Sequence, residues 1–248
     1  MMNILLSGCS GKMGMNVRES AQDFEGAVIA AGVDIKDDPQ AGFPVYDDFS
    51  KIQERIDVII DFSHFSNLEN VLGYAVEHRI PAVLCTTGYS EEQKSLIRDS
   101  AALIPVFYSA NMSLGVNLQI KLAKIAREFF GNDADIEIIE MHHNRKLDAP
   151  SGTALAIADA LNQDGSYEYT YDRQSLHRKR KKSEIGISSV RGGNIVGEHD
   201  VMFICENERI EIKHIAESRK VFADGALKAA AFLKGKCPGL YDMNSLIG

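Results

Sequence analysis

Residues 3–14, Asn3-Ile4-Leu5-Leu6-Ser7-Gly8-Cys9-Ser10-Gly11-Lys12-Met13-Gly14, decide the fold of this chain. The run Asn3–Ser7 has the apolar pattern of a strand buried on both faces. Three glycines spaced GxxGxxG follow, and Lys12–Gln22 reads as a helix. Glycines at 8, 11 and 14 permit a tight turn, close approach of an anion to the main chain, and close packing of helix on strand. A pyrophosphate would rest on the exposed N–H groups of the helix start. The usual spacing is GxGxxG, so the glycines alone say little; their place between a first strand and a first helix gives them meaning. Asp34 ends the next apolar run, Ala27–Val33, where a carboxylate can accept hydrogen bonds from a ribose 2′-hydroxyl. That carboxylate favours NADH. Lys12 and Lys36 can attract the 2′-phosphate of NADPH, so both cofactors stay open. The expected cofactor contacts here are Gly8, Cys9, Ser10, Gly11, Lys12, Met13 and Asp34.

Outward from this loop, short apolar runs alternate with amphipathic stretches. Strands are expected at Asp57–Asp61, Pro81–Cys85 and Ile104–Tyr108, and helices at Ser66–Arg79 and Ser90–Ala102. Ser90 is placed to cap its helix, with Glu91, Glu92 and Gln93 in the first turn. This alternation is that of a Rossmann-like, doubly wound parallel sheet. Such a sheet binds its cofactor at the carboxyl ends of its strands, where Cys85-Thr86-Thr87-Gly88 and Ser109-Ala110-Asn111-Met112 fall. Cys85, Thr86, Thr87, Ser109, Ala110, Asn111 and Met112 are therefore further candidate contacts to a nicotinamide ring.

After Asn111 the texture changes. Leu114–Phe130 reads as one amphipathic helix with Leu118, Leu122, Ile125 and Phe129 at helical spacing. Strands are expected at Asp135–Met141, Ile185–Arg191, Val201–Cys205 and Arg209–His214, and an alanine-rich helix near Ala223–Lys234. Such texture predicts an α/β chain with a second, α+β domain on an open mixed sheet. The expected division is 1–112 with 221–248 for the dinucleotide, and 113–220 for the substrate.

The second domain carries the densest chemistry, Glu140-Met141-His142-His143-Asn144-Arg145-Lys146-Leu147-Asp148-Ala149-Pro150-Ser151-Gly152-Thr153. Protonatable and cationic side chains crowd the passage from a strand to a helix. Ser151 or Asp148 can cap that helix, whose positive end at Gly152 and Thr153 suits a carboxylate. Lys146 and His143 add positive charge for a small dianion, and His142 suits proton transfer.

Composition excludes other classes. A net charge of −8 argues against nucleic acid or an anionic membrane surface as partner. No signal peptide is expected, no apolar stretch approaches membrane-spanning length, and a cytoplasmic protein is anticipated. The four scattered cysteines (Cys9, Cys85, Cys205, Cys237) suggest neither disulfides nor a metal site. His177–Lys182, His-Arg-Lys-Arg-Lys-Lys, reads as a solvated mobile loop.

Together these motifs resemble the 4-hydroxy-tetrahydrodipicolinate (dihydrodipicolinate) reductase family. Glu140-x-His142-His143-x-x-Lys146-x-Asp148-Ala149-Pro150-Ser151-Gly152-Thr153-Ala154 carries the likeness. Gly8-x-x-Gly11-Lys12-Met13-Gly14, Asp61-Phe62-Ser63, Thr86-Thr87-Gly88, Ala110-Asn111 and Val196-Gly197-Glu198-His199 extend it over nearly the whole chain. The resemblance implies NADH- or NADPH-dependent reduction of a cyclic imine dicarboxylate in lysine and diaminopimelate synthesis. It implies His142 as acid/base residue, Lys146 as proton donor, and His143, Gly152 and Thr153 as carboxylate contacts. Arg219, at the exit from the last strand, is a candidate second carboxylate contact. A homotetramer formed through the second domain's sheets is also implied. Met112 and Cys85 depart from the family's commoner phenylalanine and glycine.

Overall fold

In the computed structural model, which describes residues 1–36 and 38–248, β1 (Met2–Ser7) leads through the glycine turn into α1 (Lys12–Asp23). β2 (Ala27–Val33), β3 (Val45–Tyr46), β4 (Val58–Asp61), α2 (Leu68–His78), β5 (Ala82–Leu84), α3 (Glu91–Ala101) and β6 (Pro105–Tyr108) follow. Next come α4 (Leu114–Phe130), β7 (Asp135–His142), α5 (Gly152–Leu161), β8 (Glu168–Thr170), β9 (Glu184–Arg191), β10 (Gly197–Ile204) and β11 (Arg209–Ala216). The chain ends with α6 (Lys220–Leu233), β12 (Gly239–Tyr241) and α7 (Met243–Ile247). It divides into two compact units, Met1–Leu114 with Arg219–Gly248, and Gly115–Ser218.

The first unit holds a seven-stranded sheet in the order β12-β6-β5-β4-β1-β2-β3, parallel at every pairing. Its strands alternate between two cores. Ile4, Leu6, Val58, Ile60 and Phe107 pack toward α1 and α6, while Leu5, Ile59, Ala82, Leu84 and Val106 pack toward α2 and α3. Burial on both faces is why these strands read as unbroken apolar runs. Each fully buried Leu or Ile contributes about 1.5–3 kcal/mol. The strand order reverses between β1 and β4, which opens a crevice at their carboxyl ends.

The second unit holds a five-stranded mixed sheet, β11-β10-β7-β9-β8. β7 runs antiparallel to β10 and parallel to β9. Its alternation puts Ile136, Ile138, Glu140 and His142 on the buried side, where Ala123 of α4 and Ala154, Ile157 and Ala158 of α5 complete the core.

Two expectations are corrected here. The apolar stripe of α4 faces outward: Leu118, Leu122, Ile125 and Phe129 are all exposed, Val116 is buried, and Gln119 and Ala123 face the sheet. Gln119 Nε2 donates to the carbonyls of His199 (2.8 Å) and Ile212 (2.6 Å), which draws that face onto the strands. The basic run 177–182 is tethered as well as solvated. Arg180 bonds Asp135 and Glu137 and the carbonyls of Ile136 and Glu184, and Arg178 pairs with Glu184, which is fully buried. A carboxylate without solvent needs such a partner.

Gly225 of α6 lies against the main chain where β6 leaves the sheet; a Cβ there would stand 1.8 Å from the carbonyl oxygen of Met112. Gly225→Ala should lower stability by about 1–3 kcal/mol through overpacking. Urea unfolding of the two proteins, read at a common m value, measures it.

Candidate active site

In the first unit the glycine loop has the shape its spacing suggests, for identifiable reasons. Gly8 takes φ +78°, and a Cβ there would fall 2.8 Å from the main chain of Phe62 and Ser63. A Cβ at Gly14 would fall 2.3 Å from the Gly8 carbonyl oxygen, so helix and strand meet only through glycine. Gly11 is the N-cap of α1, which has no side-chain cap and no acidic residue in its first turn. That helix start suits an anion, and the residues present fit a dinucleotide's pyrophosphate. Asp34 accepts from Ser10 N (3.0 Å) and Lys36 N (3.2 Å), which holds the loop. Gly8, Gly11, Asp34, Ile35, Ser63 and His64 line a cavity of about 1100 Å³.

The other candidate cofactor residues divide. Cys85, Thr86 and Thr87 line a second cavity, of about 460 Å³, together with Phe62, Ser63 and His64. Thr87 is exposed, but the Cys85 and Thr86 side chains turn inward. The Thr86 hydroxyl lies 2.8 Å from the Ser63 carbonyl oxygen and 3.2 Å from Asp61 Oδ2. Cys9 and Met112 are likewise core residues, so only their main chain can face a ligand. Ser109 Oγ donates to the Asn111 carbonyl, shaping its turn, and Ala110 is exposed. Lys12 is exposed and Met13 half-buried. Asp61, of the Asp61-Phe62-Ser63 motif, lies within hydrogen-bond distance of Thr86. It is buried, accepts from Ser63 N and Oγ (3.1 and 2.6 Å), and burial pushes its carboxyl up despite those bonds.

In the second unit, His142 closes β7 on the buried face, two residues beyond Glu140. His142 Nδ1 lies 2.6 Å from Glu140 Oε2. Arg191, closing β9 beside it, sends Nη1 to Oε2 (2.8 Å) and Nη2 to Oε1 (2.7 Å) of the same carboxylate. Ser151 N also donates to Oε1, at 3.2 Å. Burial would raise the Glu140 pKa, but the Arg191 fork, then His142 and Ser189, win and hold it at about 2. Ser151 is the cap of α5, accepting from Ala154 N at 3.1 Å. Asp148 instead pairs with Lys146, Nζ to Oδ2 at 2.8 Å. Arg191 Nη2 also donates to the Asp148 carbonyl, and Gly192 N to the His142 carbonyl. Strand end, loop and helix start are thus tied together.

His143 and Thr153 are half-buried here, and Gly152 is exposed with open space where a Cβ would stand. Arg219 is the N-cap residue of α6 and falls in the first unit. The sequence reading missed Arg191, because only strand pairing brings it beside His142. It also missed the role of Glu140, for which period-2 alternation was a usable signal.

His199 of β10 stacks edge-on to His142 at 5.3 Å, and its Nε2 lies 3.1 Å from Ser151 Oγ. Burial first, then the charge of His142, pushes its pKa from 6.5 down to about 4. Folding therefore excludes a proton that the unfolded chain takes up below 6.5, and stability falls as pH drops through that window. Between pH 7 and 4.5 the stability advantage of the wild type over His199→Gln should shrink by about 2 kcal/mol. Paired denaturant titrations at the two pH values test this.

Comparison with known proteins gives the site its context. The family model described as dihydrodipicolinate reductase, N-terminus, matches residues 2–112, and that for the C-terminus matches 115–247. The 4-hydroxy-tetrahydrodipicolinate reductase of Clostridium tetani is 49% identical, over 100% of this chain and 97% of its own length. That of Caldanaerobacter subterraneus subsp. tengcongensis is also 49% identical, over 100% and 98%. A dipicolinate-bound dihydrodipicolinate reductase from Paenisporosarcina sp. TG-14 shares the fold with a TM-score of 0.84 and 23% identity, covering 98% of this chain and 99% of that one. The chain belongs to the dihydrodipicolinate reductase family and is an NAD(P)H-dependent reductase of 4-hydroxy-tetrahydrodipicolinate.

Proposed function

We propose that the second unit holds the dicarboxylate and handles its proton through the 140–153 assembly, and that the first unit takes the dinucleotide. The observation that supports this most directly is the joining of His142, the Lys146 turn and the start of α5 through Glu140, Arg191, Asp148 and Ser151. When bound, the reduced nicotinamide supplies a hydride. The chain's own residues have three tasks. His143, Gly152 and Thr153 bind a substrate carboxylate at the positive start of α5. The Lys146 ammonium offsets the electron density that the ring gathers after loss of water. Lys146 and His142 then move a proton to the neighbouring carbon.

In the first unit, Gly8, Cys9, Ser10, Gly11, Lys12 and Met13 offer the loop, Asp34 the ribose contact, and residues 85–87 and 109–112 the main-chain edge for the nicotinamide. Lys12 and Lys36, both exposed, can meet a 2′-phosphate. We place the enzyme in the cytoplasm, in keeping with four free cysteines among the described residues. No helix among the described residues is long and apolar enough to cross a membrane. We also propose a homotetramer built on the second unit's sheet. The face opposite α4 and α5 presents exposed Val190 and Ile215.

Lys146→Ala should lower kcat by about 10²–10⁴ with NADH affinity changed less than about twofold. NADH oxidation with freshly generated 4-hydroxy-tetrahydrodipicolinate measures the first, and fluorescence titration the second; near-normal turnover would remove Lys146 from its role. Asp34→Ala should cost roughly tenfold or more in kcat/KM for NADH and little for NADPH. Side-by-side kinetics with both cofactors read that ratio. Light scattering should give a particle of four 27.3 kDa chains.

A further inference from the structure

Glu140 is fully buried, yet it touches neither solvent nor any group assigned to hold substrate except through others. His142 Nδ1, both Nη atoms of Arg191 and Ser151 N all donate to its carboxylate. An ionised carboxylate can only accept, so at its Nδ1 the neutral His142 ring must carry the hydrogen. The ring then presents an unprotonated Nε2 on its other side. Space at that atom is kept by Gly197 of β10, where a Cβ would stand 3.1 Å from Nε2. The same carboxylate, through Ser151 N, is bonded to the first residue ahead of the carboxylate-binding helix start.

The ring of His142 meets Glu140 of its own strand and His199 of β10, with Arg191 of β9 opposite it in register. Ser151, at the start of α5, bonds Glu140 and His199, and the Lys146–Asp148 pair lies on the loop that follows β7. Arg191 is committed to Glu140, Lys146 to Asp148, and His199 stays neutral above about pH 4. Glu140 is thus the anion in direct contact with the ring and the one placed to balance it when it is protonated.

We infer that Glu140 is the positioning residue of the reaction: it fixes the Nδ1–H tautomer of His142, aims Nε2 at the substrate, and is itself kept ionised and oriented by the bidentate Arg191 fork. The inference rests on the role proposed for His142. Arg191 would serve through geometry and charge together, and a lysine would keep the charge but lose the fork.

The test uses the full chain with ring-labelled ¹⁵N-histidine, with His142→Ala identifying the His142 signals. The wild type and Arg191→Lys should both show His142 as the Nδ1–H tautomer near neutral pH. In Glu140→Gln that signature should change or average between tautomers, and kcat should fall about hundredfold. KM for the substrate and the Kd for dipicolinate and for NADH should move less than about threefold. Should Glu140→Gln alone prove unfolded, Glu140→Gln/Arg191→Gln replaces both charges and takes its place. A folded Glu140→Gln or double variant with unchanged tautomer signals overturns the inference, as does a rise in KM with kcat unchanged. Equal loss of kcat in Arg191→Lys and Glu140→Gln, with tautomers intact in both, would make the pair merely structural and overturn it too. Wild-type turnover in His142→Ala would instead remove His142 from the chemistry, and the tautomer signature would decide the contact by itself.

Discussion

A carboxylate taken out of water must be answered on the spot by donors, and among the described residues three such groups organise the molecule. Asp61, Glu140 and Glu184 are essentially inaccessible to solvent. Leaving any of them unpartnered would cost several kcal/mol, so each recruits its surroundings. Asp61 gathers the hydroxyls and main chain of the Ser63 turn beneath the glycine loop. Glu184 pulls in Arg173 and, from the basic run, Arg178. Glu140 joins a histidine, an arginine and a helix start. The polar architecture of both units follows from these local obligations.

The sheets supply the precision. Strand alternation puts Glu140 and His142 on one face, and the parallel register of β7 with β9 sets Arg191 opposite His142. Neither relation depends on a flexible loop. The loop 143–150 borrows rigidity from them through Arg191 and the Asp148 carbonyl, and through Asn144 N donating to the Gly193 carbonyl. α5 starts where Ser151 can both cap the helix and meet Glu140 and His199. The residues proposed for proton handling and for carboxylate binding therefore share one scaffold within the second unit.

Much of this was legible in residue order. The glycine spacing and the unbroken apolar strands announced the doubly wound sheet, and the His142-His143-x-x-Lys146 run marked the candidate site. Misreadings have specific causes. On α4 both helix faces are apolar, so spacing could not tell that Gln119 and Ala123, rather than Leu118 and Leu122, meet the sheet. The basic run looked solvated because its acidic partners, Asp135, Glu137 and Glu184, lie on β7 and at the start of β9. At Thr86 the side-chain hydroxyl is occupied by the neighbouring loop, which leaves its main chain as the candidate contact.

By itself the sequence determined what recurs at short range: which runs are strands, where glycine must sit, and which side chains are of a type able to carry acid–base chemistry. It determined these because strand and helix periods, φ preferences and side-chain pKa ranges are properties of a residue and its near neighbours. Only the tertiary structure decided which charges meet. The contact of Arg191 with Glu140 spans 51 positions, and that of Ser151 with His199 spans 48. Such pairs exist because strand register and burial bring them together in a medium that makes each partner obligatory, and residue order alone does not specify register.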